Sequence, residues 1–254
     1  MAIWMMLVMA PPALASVVFL MRAWRQRPAD RVAVFGAGDA VVAGLIGVWL
    51  LSLIVSAPEE PAKITGNAIL GSAVVYVGMV VMIGMLLVMR GVPLNLAMGL
   101  GPGVPGTATF VVAASVLTLP LVIFVQAVAG LVMGEAGGTQ PILEFWIGEA
   151  GLWGRVLVVG MASVVAPVCE EWIFRGYLYG VVRMYAGPFW GMFVVSLLFA
   201  GIHLHLPAMP GLFVVGVVLT VVYERTGTLL APIVVHAVFN TLSLVFSLIW
   251  PELA

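Results

Sequence analysis

Seven polar side chains interrupt apolar runs in the second half of the chain: Glu170, Glu171, Arg175, His203, His205, His236 and Asn240. A carboxylate can take a proton from water while a histidine orients that water. A histidine and an asparagine can donate hydrogen bonds to the oxyanion that forms when water attacks a carbonyl. Glu170, His203, His236 and Asn240 therefore make a candidate hydrolytic set that needs no serine or cysteine nucleophile. The one cysteine, Cys169, lies about 100° around a helix from Glu170 and suits packing. It leaves no partner for an intrachain disulfide.

The two adjacent glutamates are not equivalent. Glu171 and Arg175 are spaced i,i+4 with the acid on the N-terminal side, the favoured order for a helical ion pair. Glu170 points about 100° away and keeps no local counter-charge. A buried carboxylate in that position acts as a base or proton carrier. Gly187-Pro188 marks a turn, with Glu170 on one side of it and His203 at nearly the same distance on the other. In an antiparallel hairpin that symmetry puts both at one depth. His236 follows a Thr226-Gly227 turn, with Asn240 at i+4 on its own face. Straight helices would leave His236 about 10 Å closer to the turn side than Glu170. His205, beside Pro207 near a helix end, reads as a packing residue.

The elements that must hold these groups are membrane helices. The chain has 254 residues, 63% hydrophobic and 8% charged, with a net charge of −1. A soluble domain carries roughly 25% charged residues, and nothing here points to nucleic acid. Apolar runs long enough to cross a bilayer occur at about 2–21, 38–57, 67–89, 108–133, 155–182, 188–206, 210–224 and 229–250. Runs of this length in lipid must be helices. The expected fold is an all-α polytopic bundle of about eight transmembrane helices. Residues 1–150 would supply four N-terminal helices and an interfacial loop, and residues 151–254 a catalytic four-helix core. The N-terminal stretch has a signal-peptide-like "ALA" at 13–15 but no positive start, so it reads as a first span.

Arg22, Arg25, Arg27 and Arg31 place the first loop in the cytoplasm by the positive-inside rule. Alternation then brings Arg90, Arg183 and Arg225 to that side. Lys63 and Arg155 remain opposite, among Glu59, Glu60, Glu135, Glu144 and Glu149. Residues 91–106 are rich in Gly and Pro and should be irregular. Residues 141–153, with Trp146 and Trp153, suit an interfacial helix.

The segments "EEWIFRG", "FAGIH" (199–203) and "HAVFN" (236–240) occur in order on consecutive spans. They resemble the EExxxR, FxxxH and HxxxN motifs of the CPBP family. That family includes the CAAX proteases and bacteriocin-processing enzymes of the Abi and Rce1 type. The resemblance covers about 150–250. It implies an intramembrane glutamate endopeptidase, with Glu170 the water-activating base and His203 its partner. It makes His236 and Asn240 the oxyanion site, with Glu171, Arg175 and Phe199 in support. Eukaryotic members act on prenylated C-termini. A compact chain without a targeting extension suits a prokaryotic inner membrane, where the substrate would be a membrane peptide or protein.

Other functions compete. The same residues, Glu170, His203 and His236, make a His₂Glu zinc set. No HExxH is present, and the nearby arginine disfavours a cation, so the expectation is no metal and no cofactor. A non-enzymatic immunity or scaffold protein would not need the intact motif set. A proton-coupled transporter should show inverted repeats, which are not evident. A haem protein using His203 and His236 would be coloured when purified.

Overall fold

The computed structural model describes residues 2–27, 34–57, 63–101, 103–133 and 140–250. Arg31, Glu59, Glu60 and Glu135, which entered the charge asymmetry, lie outside the described residues. Helices dominate, because in lipid each backbone N–H and C=O must find its partner within the chain. Among the described residues, seven helices are long and apolar enough to cross a membrane. They form a polytopic helical bundle. The fifth of these covers Leu152–Gly201 and is broken at Gly187, whose φ of 82° and ψ of 167° are not helical. It therefore crosses twice, which accounts for the eight spans expected from sequence.

We number the spans α1 (Ala2–Arg25), α2 (Ala37–Val55), α3 (Gly66–Met89), α4 (Thr107–Met133), α5 (152–186), α6 (188–201), α7 (Met209–Thr226) and α8 (Leu230–Ile249). The first is a helix packed along α4, where the Ser16 hydroxyl lies 2.8 Å from the Leu117 carbonyl. The centre of the bundle is α7, with 56% of its span buried against 11% for α1 and α3. Small residues let its neighbours approach, as is usual where membrane helices pack. A Cβ on Gly216 would come within 2.9 Å of the Ser196 backbone on α6.

Charge marks one end of the bundle. Arg27 after α1 and Arg183 near the end of α5 converge on Glu224 of α7, at 3.8 and 3.0 Å. Arg90 after α3 pairs with Asp39, which also accepts from the Gly36 N–H at 2.7 Å to cap α2. These arginines meet at one end, as the alternation of spans requires. Glu224 has a fully buried side chain and was missing from the intramembrane polar residues singled out from sequence.

Residues 91–106 hold a single helical turn, Leu94–Ala97, and glycines with positive φ. They dock on the α7–α8 turn: Leu229 N–H donates to Gly99 O at 2.9 Å, and Val104 N–H to Thr226 O at 3.1 Å. Gly99 has φ +59°, and a Cβ there would lie 2.9 Å from Gly227 O. Gly99→Ala should therefore lower stability by about 1–3 kcal/mol, read from unfolding in detergent.

Residues 141–153 depart from a simple interfacial helix. Pro141–Glu144 is α-helical and Phe145–Glu149 π-helical. Trp146 is buried and donates its indole N–H to Leu244 O of α8 at 3.0 Å, so it anchors the segment to the bundle. Trp153 is exposed.

Candidate active site

The site begins with the irregularity of α5. Two π-helical runs, Met161–Val165 and Trp172–Leu178, bracket the α-helical stretch Ala166–Glu171. Pi-bulges recur at functional sites because they turn side chains and free carbonyls. Pro167 has no N–H to offer the Ala162 carbonyl five residues back. That carbonyl instead accepts from Asn240 Nδ2 at 2.8 Å, which ties α8 to α5.

The predicted Glu171–Arg175 pair is present at 2.7 Å, with both side chains fully buried. The guanidinium also donates to Gly216 O at 3.0 Å and lies 4.7 Å from the Phe199 ring centre. Glu171 Oε1 accepts a second bond, from His236 Nδ1 at 2.9 Å. Since a carboxylate accepts, Nδ1 carries the proton and His236 Nε2 presents its lone pair. Nε2 lies 3.8 Å from Glu170 Oε2.

His236 is thus beside the glutamates, not about 10 Å away as straight helices implied. The π-helical run at 172–178 breaks the even rise that this estimate assumed. His203 also differs from expectation. The helix ends at Gly201, and His203 sits in the turn that follows. Its Nδ1 donates to Phe199 O at 2.8 Å, which leaves Nε2 as the acceptor in the neutral ring. Phe199 joins the site, its ring centre 5.1 Å from His203, 5.6 Å from His236 and 5.5 Å from Phe174.

A cavity of about 840 Å³ opens beside these groups. Glu170, His203, His205 and Asn240 line it, whereas His236, Glu171 and Arg175 stand behind its wall. The sequence reading had paired His236 with Asn240 as donors facing substrate. Of the two, Asn240 reaches the cavity wall, and His236 faces Glu170. His205 Nδ1 accepts from Ala208 N–H at 3.3 Å and so caps the short turn after it, in line with a packing role. Cys169 is buried beside Glu170 in sequence.

Two residues of the N-terminal half were missed. Tyr76, midway along α3, donates its hydroxyl to Glu170 Oε1 at 2.8 Å. A tyrosine hydroxyl midway along a mostly apolar span needs a partner, and that was the available signal. Gln126 of α4 donates to Pro207 O at 3.2 Å and accepts from Gly211 N–H at 3.0 Å. It pins the far side of the turn that carries His203. Glu170 Oε2 accepts no hydrogen bond among the described residues.

For the zinc alternative, His236 would offer Nε2, since Nδ1 donates to Glu171, a bond common behind metal-ligating histidines. Among the described residues no three His, Cys, Asp or Glu side chains are grouped to hold a metal ion.

Residues 152–242 match the family model described as type II CAAX prenyl endopeptidase Rce1-like. This stretch is similar to the Rce1-like domain. It runs from the start of α5 into α8 and includes all three motifs. The match makes this stretch similar to a family of membrane endopeptidases, and the apolar helices make the chain an integral membrane protein. Comparison with curated proteins and with solved structures finds no match. Tyr76 and Gln126 lie outside the Rce1-like segment, yet both touch its polar groups.

Tyr76→Phe should lower the rate of hydrolysis about tenfold with little effect on folding, the value of one hydrogen bond to a charged group. Steady-state kinetics of the purified variant would check this.

Proposed function

We propose that the protein hydrolyses peptide bonds of membrane-associated substrates with a water activated by Glu170. One observation carries the reading. On the cavity wall, Glu170 has one oxygen held by Tyr76, and the other faces His236 Nε2 across 3.8 Å. A carboxylate oxygen and an imidazole lone pair repel unless a proton or a water lies between them.

In the proposed reaction, Glu170 Oε2 takes a proton from water, and His203 Nε2 accepts the water's other hydrogen and orients it. The water oxygen bonds to the scissile carbonyl carbon. The second amide hydrogen of Asn240 stabilises the oxyanion. Collapse breaks the C–N bond, and Glu170 returns its proton to the leaving amine. His236 Nε2 faces Glu170 Oε2 from behind, and Glu171 with Arg175 fixes the orientation of His236.

No step in this scheme calls for a metal. The purified protein should cleave a quenched fluorogenic peptide and retain its activity after exhaustive chelation. Loss of activity that zinc restores would overturn the metal-free scheme. A lack of cleavage across a library of apolar peptides would favour an immunity or scaffold role.

A further inference from the structure

The arginine end of the bundle carries more positive charge than it neutralises. Arg90 takes Asp39, and Arg27 and Arg183 share Glu224. Arg22 and Arg25 in the last turn of α1, and Arg225 in the last turn of α7, have no acidic partner among the described residues.

Two of these three arginines flank one spot. The Arg225 guanidinium carbon lies 5.8 Å from the centre of the Phe110 ring, in the first turn of α4. Phe110 stacks on Phe19 of α1, with 5.0 Å between ring centres. Arg22 follows Phe19 at i+3, so it stands one turn nearer the end of α1 on the same side of the helix. The three helices thus set two cations around a half-buried aromatic pair. Arg225 is itself half-buried, and its Nε is buried without an acceptor. The end of α7 that carries it is fixed, because Thr226 O accepts from the Val104 N–H just before α4. A partly desolvated guanidinium with no acid beside it favours an anion brought from outside.

The neighbouring surface selects the kind of anion. Away from the end of the helix, the face of α1 below Arg22 presents Val18, Ala15, Pro11 and Val8, all exposed and all apolar. A soluble anion gains nothing from that strip. An anion that carries acyl chains can lay them along it while its headgroup meets the arginines. Basic recesses between membrane helices bind anionic headgroups in this way.

We infer that the shared end of α1, α4 and α7 binds the phosphodiester headgroup of an anionic phospholipid between Arg22 and Arg225, with its acyl chains along α1. The bound lipid ties α1, one of the least buried spans, to the bundle. The opposite end of α1 places Met5 on the wall of the catalytic cavity. The site does not depend on what the protein cleaves.

Native mass spectrometry of the detergent-purified protein with an equimolar mixture of phosphatidylglycerol and phosphatidylcholine tests this. A cation beside an anionic headgroup contributes roughly fivefold in affinity, so the wild type should retain phosphatidylglycerol over phosphatidylcholine by roughly tenfold or more. Arg22→Gln combined with Arg225→Gln should bring the ratio close to one, whereas the corresponding double lysine variant should keep most of the preference. Arg22 is exposed, so Arg22→Gln alone keeps the fold and should cost roughly fivefold. Arg155→Gln, at the other end of the bundle, should leave the ratio as it is. No preference in the wild type, or a preference that survives both glutamine variants, overturns the site. Millimolar inorganic phosphate should leave the lipid bound. Displacement by phosphate would assign the site to a soluble anion and overturn the lipid.

Discussion

Glu170→Gln should reduce peptide hydrolysis about a thousandfold, within the range spanned by general bases. The substitution keeps the shape of the side chain and an oxygen to accept from Tyr76. What it removes is the capacity to take a proton from water and return it to the leaving amine. The fall should appear in kcat with KM nearly unchanged, because the groups that line the cavity are otherwise intact. His203→Ala and Asn240→Ala should also lose most activity. Cys169→Ala should not, since the thiol is buried and has no assigned step.

Arg175→Met should be the most destabilising single change in the site. It leaves Glu171 at 0% exposure without its ion-pair partner and removes the bond to Gly216 O. Loss of one member of a buried ion pair costs about 3–5 kcal/mol. The double variant Glu171→Met with Arg175→Met should recover part of that loss, because removing both charges leaves none uncompensated. It should not recover activity, since His236 Nδ1 would have lost its acceptor. Chemical unfolding in detergent separates these outcomes. A single variant as stable as the wild type would mean that Glu171 is neutral in the folded protein.

The parts of this arrangement that depend on regular helices were legible in the sequence. The apolar runs marked the spans, and the i,i+4 spacing marked the Glu171–Arg175 pair, which forms although Arg175 lies in a π-helical run. Equal distances from Gly187 brought Glu170 and His203 to one cavity. The parts that depend on irregular helices were not. Two π-helical runs carry no periodic signature in an oily segment, so the approach of His236 to Glu170 was misjudged. The turn after Gly201 was hidden because "LFAGIHLHL" is as apolar as the helix before it. Tyr76 and Gln126 escaped for a different reason. Each sits in a mostly apolar span, and its meaning comes from a partner 94 or 81 residues away.

The central claim is that Glu170 acts on water and does not itself attack the peptide. A single turnover in ¹⁸O-enriched water, followed by mass analysis of both product and enzyme, tests it directly. Attack by the activated water puts the label in the new product carboxylate and none in Glu170. Label found in the Glu170 carboxylate would show a covalent intermediate and contradict the account.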